Sequence, residues 1–169
     1  MYLYRKDVYC MNPLFDVKKH IIGIDGGCSL TNGAQLNALL IPHAWAGMDE
    51  ISFTAYDDFP QMVAKYAQSA VAGSVEIRYT DSIIKLSEKK NGIARVVHVS
   101  SPKSFYVPEE WLYQSGDEWH CGNYSDAKLA VKVGEVLSVV RKTPMGFLVK
   151  KDGVQGWYCP EAVLQDKKA

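Results

Sequence analysis

One segment recurs in the second half of the chain, and it limits what the chain can fold into. Residues 105–112 read FYVPEEWL and residues 157–164 read WYCPEAVL. Both run aromatic, Tyr, small apolar, Pro, Glu, any residue, hydrophobic, Leu. Each closes a stretch that opens on a similar tripeptide, Tyr79-Thr80-Asp81 in the first and Tyr124-Ser125-Asp126 in the second. Self-similarity at this spacing means two supersecondary units rather than one continuous domain. Apolar runs of strand length and turn residues between opening and closing make both units β. They are expected at residues 75–115 and 120–166.

The second unit is the clearer. Val136, Val139 and Val140 supply core contacts, and Phe147, Leu148 and Val149 make the following strand. Lys151-Asp152-Gly153 reads as a hairpin turn, with Gly where a positive φ is needed. In the first unit, residues 93–99 (IARVVHV with its preceding Gly92) form the matching strand.

Residues 1–60 hold three further strand-like runs: HIIGID at 20–25, QLNALLI at 35–41 and EISFTAY at 50–56. The first two are nearly continuous in apolar residues, a pattern of strands covered on both faces. The third alternates, with Ile51, Phe53 and Ala55 on one side. Residues 61–74 differ. Asp58 and Pro60 before an Ala-rich stretch, and Gly73 after it, predict a linker or short helix.

Composition excludes several classes. With 19 basic and 19 acidic residues the formal net charge is zero, which argues against a nucleic-acid binder. With 47% hydrophobic residues the chain is not disordered. No apolar run approaches the roughly 20 residues needed to cross a bilayer. Cys10, Cys28, Cys121 and Cys159 form no Cys-x-x-Cys pair, and the first residues contain no secretory apolar core. A cytoplasmic protein is expected. His20, His43, His98 and His120 show no metal-ligand spacing. Cys28 has no patterned base beside it, and the glycines at 23, 26, 27 and 33 make no phosphate-binding motif.

The second repeat, residues 128–164, resembles the Src-homology-3 family in its turn, strand and closing Pro-helix order. The resemblance implies two small barrels in tandem, and a peptide groove lined by aromatic side chains. The ligand-binding candidates on that basis are Tyr79, Phe105, Pro108, Trp111, Tyr124, Phe147, Trp157 and Pro160. The alternative for the aromatic members is barrel core, and for Trp111 packing against the neighbouring unit.

Residues 12–41 resemble the C-terminal end of bacterial calcineurin-like metallophosphoesterases of the Ser/Thr phosphoprotein phosphatase family. The matching residues are Ile24-Asp25-Gly26-Gly27 and Gln35 to Leu39. That family works with two divalent metal ions, but its Gly-Asp-x-His, Gly-Asp-x-x-Asp-Arg and Gly-Asn-His-Glu motifs do not occur in this sequence. The resemblance therefore implies a non-catalytic interaction or regulatory module, without cofactor, whose partner is a protein or peptide such as a phosphatase catalytic domain. Two alternatives are a fragment acting in trans in a two-metal phosphoesterase, and a cell-wall peptide-binding module. No nucleic-acid or membrane partner is expected. The apolar residues Ile21, Ile22, Ile24, Leu36, Leu39 and Ile41 need cover, from the β units or from a second copy of the chain.

Overall fold

The computed structural model describes residues 9–27, 33–78, 80–101 and 103–160. They are mostly β, with no α-helix among them. The repeat is visible at once in strand lengths. In the first unit β7 (Ile83–Lys90), β8 (Ile93–His98) and β9 (Ser104–Pro108) form an antiparallel meander of 8, 6 and 5 residues. In the second, β13 (Val136–Thr143), β14 (Gly146–Lys151) and β15 (Val154–Tyr158) repeat those lengths. The first strand of each carries a register shift near its middle, between Leu86 and Glu88 and between Val139 and Arg141. A bulge adds twist, and here it bends both meanders at the same place.

Local chemistry explains the turns. Asn91-Gly92 joins β7 to β8, and Asp152-Gly153 joins β14 to β15. All four residues have positive φ, between 51° and 75°, as a two-residue turn matched to the strand twist requires. Asn and Asp tolerate that region and Gly is free of its cost.

The units are not arranged one after the other. Before the first meander come β5 (Gln61–Val63) and β6 (Glu76–Ile77), and after it β10 (Leu112–Ser115), β11 (Glu118–Cys121) and β12 (Tyr124–Ser125). β5 pairs with β13 of the second unit, Met62 opposite Leu137. Gln68 then bridges to Val131, and Val71 to Lys128. β6 pairs with β12. The second unit is thus built from both flanks of the first, which sits at the end of a two-stranded stalk. The expected linker or helix over residues 61–74 is instead extended chain inside the second unit. Its Ala-rich stretch has the propensity for helix, but tertiary pairing overrides a weak local preference. The first unit closes on itself differently: β10 and β11 form a hairpin that returns to the free side of β7, giving the order β10-β11-β7-β8-β9. The sheets are open, not closed barrels.

The N-terminal piece has four strands in two pairs, not three in one sheet. β1 (Leu14–Asp16) pairs with β2 (Ile21–Gly23), and β3 (Leu36–Leu40) with β4 (Ser52–Tyr56). Asp16 ends β1 by accepting from the Lys19 amide. The first expected run holds β2 alone, and β1, which precedes it across a tight turn, is a strand that sequence alone did not mark.

Two clusters of buried side chains form the core. The larger contains Ile77, Ile84, Val96, Val107, Trp111, Tyr124, Leu148 and Trp157, and so belongs to both units. The smaller, with Val131, Leu137, Val149 and Tyr158, lies within the second. Neighbours on β14 and β15 go opposite ways, Leu148 and Trp157 to the shared core, Val149 and Tyr158 to their own, as alternation dictates.

Candidate functional site

Four of the eight sequence candidates meet at the junction of the units. Trp111 is the last residue of a 3-10 turn (Glu109–Trp111) that Pro108 leads into. Trp157 comes from β15 and Tyr124 from the stalk. The Trp111 and Trp157 rings lie 6.1 Å apart, the Tyr124 and Trp157 rings 6.2 Å, and Phe105 stacks on Tyr124 at 6.1 Å. These separations suit aromatic pairs. Every polar atom of the trio is satisfied. Trp111 Nε1 donates to the Asn123 carbonyl at 3.2 Å, Trp157 Nε1 to Ser125 at 2.7 Å and Tyr124 Oη to Tyr106 at 2.9 Å.

The rings are sealed in. Trp157 is 4% exposed, Tyr124 3% and Trp111 9%. Burial pushes the Tyr124 phenol above its ordinary range, with the Asp126 carboxylate adding to the effect. Burial also pushes the neighbouring Cys121 thiol up to about 12. A pocket opens beside the rings, lined by Tyr9, Asn123, Ser125 and Gln155 among others, with an interior of about 20 Å³, near the space of a single water. A left-handed proline helix needs open aromatic ridges, and these aromatics are joined in a core instead.

The other candidates do not gather here. Pro108 is fully buried. Phe147 packs on the second unit's own core, with Lys142 Nζ at 6.0 Å from its ring. Pro160 is half-buried. Tyr79 lies outside the described residues, as does Cys28.

The histidines are dispersed. His120 Nδ1 is 3.0 Å from Ser82 Oγ, His98 Nε2 is 2.9 Å from the Asp81 carbonyl, and His43 Nε2 is 3.2 Å from Glu50. Among the described residues no group of three or more His, Cys, Asp or Glu side chains is placed to hold a metal ion.

The N-terminal piece is fastened to the second unit by polar contacts. Residues 9–11 run along β15, with Gln155 N donating to Tyr9 O and Met11 N to Gly153 O. Lys150, nearly fully buried, pairs with Asp57 at 2.6 Å and also donates to the Gly33 and Ala34 carbonyls. Buried Gln35 and Asn37 bond each other at 2.7 Å, and Asn37 also donates to Met11 O and Ile24 O.

Residues 11–24 cover one face of the β3–β4 pair. Asn37 and Leu39 point inward, and Phe53 tilts against Phe15. The opposite face is left open. Leu36 is 65% exposed, Leu40 53% and Tyr56 68%. The connecting loop adds Ile41 and Trp45, the latter 83% exposed and stacked on His43 at 5.1 Å. Of the six apolar residues expected to need cover, Ile22 and Leu39 are half-buried while Ile21, Ile24, Leu36 and Ile41 are exposed. Trp45 and Tyr56 escaped sequence reasoning. The signal available for Tyr56 was its register opposite Leu36, which becomes readable only once the hairpin is known.

No protein-family model matches the chain, and neither does any curated protein or solved structure.

Proposed function

We propose that the chain is a non-catalytic protein-interaction module, and that it docks through the outer face of its N-terminal strands. The observation that carries this is the run of exposed apolar side chains across β3, β4 and their loop: Leu36, Leu40, Ile41, Trp45 and Tyr56. Contiguous exposed apolar surface marks interaction sites, and exposed Trp and Tyr are the usual anchors of such interfaces. The polar latch around Lys150 and Asn37 supports the reading, because it holds the hairpin rigid with its apolar side outward.

The partner is a phosphatase catalytic domain. Support comes from the resemblance of residues 12–41 to the end of that fold, where such strands are covered on both faces. The closing prolines and the matched bulges of the two meanders support reading them as Src-homology-3-like units that act as the scaffold.

Calorimetric titration of a bacterial metallophosphatase catalytic domain with the purified chain tests the reading. Binding is expected, and is lost in Leu36→Glu/Leu40→Glu while the fold persists by circular dichroism. Binding that survives the double substitution overturns the docking face. Manganese-dependent hydrolysis of p-nitrophenyl phosphate by the purified chain alone overturns the non-catalytic assignment.

A further inference from the structure

The strand β4 has one side paired and one side open. Its inner side takes β3, from Leu36 opposite Tyr56 to Leu40 opposite Ser52, with no break in register. Among the described residues nothing pairs with its outer side. All five of its residues are exposed. A free edge of this kind is a template for another strand, and proteins ordinarily blunt it with Lys, Pro or a bulge. Residues 51–56, ISFTAY, have neither Lys nor Pro, and the pairing has no bulge. The composition, aromatic and β-branched around Ala55, favours a strand that accepts a neighbour.

Charge says which neighbour. Residues 33–58 contain Asp49, Glu50, Asp57 and Asp58 and no Lys or Arg. The acidic pairs stand at the two ends of β4. Asp57 is neutralised by Lys150. Asp49, Glu50 and Asp58 are exposed, and among the described residues Glu50 has His43 as its ion-pair partner. A second copy fits poorly: two β4 strands paired antiparallel about a two-fold axis would bring the Asp58 end of one to the Asp49-Glu50 end of the other. Like charges placed opposite each other destabilise a strand pair. An incoming strand with basic residues at its ends meets opposite charge at both.

We propose that β4 receives an extended segment of a partner protein by edge addition, and that this segment is a short apolar or β-branched strand flanked on both sides by Lys or Arg. Main-chain hydrogen bonds along Ser52–Tyr56 supply the attachment, and the flanking charges choose the partner and set its register. The proposal deepens the interaction reading above and rests on it.

The test uses the whole chain and the fluorescein-labelled peptide Lys-Lys-Val-Thr-Val-Thr-Val-Lys-Lys, followed by anisotropy and by backbone amide NMR shifts. The peptide is expected to bind with shifts centred on residues 52–56. Replacing its lysines by glutamates should weaken binding about tenfold or more, the scale of several surface charge pairs acting together. Methylating alternate backbone nitrogens along one edge of the peptide should abolish binding without altering its charge. The variant Asp49→Lys/Asp58→Lys, which touches no buried group, should prefer the glutamate peptide.

Equal affinity for the two peptides, or no binding of either, overturns the proposal. Shifts centred on Leu36, Leu40 and Trp45 overturn edge addition but leave the docking face standing. Light scattering that shows a dimer with the β4 amides protected from exchange assigns the edge to a second copy, and also overturns it. Loss of the partner titration described above, with the peptide still bound at β4, removes the phosphatase partner and leaves the edge intact.

Discussion

Strands β3 and β14 are both apolar, and their fates differ. On β14, Leu148 enters the shared core and Val149 the second unit's core, and even Lys150 is buried. On β3, Asn37 is buried while Leu36 and Leu40 face outward. The difference lies in the number of layers. β14 has the first unit against one face and the rest of its own unit against the other. β3 has backbone of the N-terminal piece on one side, at Met11 and Ile24, and nothing described on the other. An apolar pattern thus records how many faces a strand expects to cover, not how many this chain covers.

The largest effect should come from attacking the shared core. Trp157→Ala removes a ring that contacts Trp111 and Tyr124, and should cost about 4 kcal/mol, the usual range for a buried Trp. Urea unfolding followed by fluorescence and by circular dichroism should show both units lost in one transition. Two separated transitions would mean that the units have independent cores.

Next is the latch. Lys150→Met leaves Asp57 without its cation, a loss of about 3 kcal/mol when a mostly buried pair is broken from one side. Lys150→Met/Asp57→Leu should recover most of it. Recovery is the informative result, since it separates the cost of an orphaned carboxylate from any net worth of the pair.

The stalk should be less sensitive. Asp126 accepts from Ser74 N, Ser74 Oγ and Val75 N at 2.7 to 3.0 Å. Asp126→Ala should cost about 1 to 2 kcal/mol, with hydrogen exchange accelerated first at residues 74–77. Uniform acceleration over the whole chain would show that the stalk is no weaker than the units.

On the N-terminal face, Leu36→Ser should change stability by no more than about 0.5 kcal/mol, as for a surface position. A large loss would mean that something covers β3, and the contrast with β14 would fail.

Cys121 offers the finest distinction. Its folded-state pKa is raised from 9.0 to about 12, so the folded protein keeps a proton that the unfolded chain gives up between those values. That contribution is whole below pH 9 and is lost as pH rises toward 12. In alkylation at pH 8, half-buried Cys10 and Cys159 should react well before Cys121. Equal rates would show that the shared core opens readily.

Much of the β body was legible beforehand. The repeat predicted two matching units, and the Asp152-Gly153 turn was readable because a two-residue hairpin is chosen by its own two residues. The pairing of Met62 with Leu137 was not, since it joins distant parts of the chain, and the Ala-rich stretch after it carried a misleading helical preference. The candidate site was legible in membership rather than in exposure. Phe105, Trp111, Tyr124 and Trp157 do come together, but whether an aromatic forms a ridge or a core depends on what lies over it, and that layer is contributed by the other unit.

By itself, then, the sequence determined the local elements of this protein: two repeated β units, the tight Asp152-Gly153 turn, and a set of apolar N-terminal strands. These depend on interactions among near neighbours. Only the tertiary structure decided that the first unit is nested within the second, that the aromatics lie between them, and that β4 keeps an open edge. Those outcomes depend on long-range pairing and on the competition of faces for cover, which no stretch of the chain encodes alone.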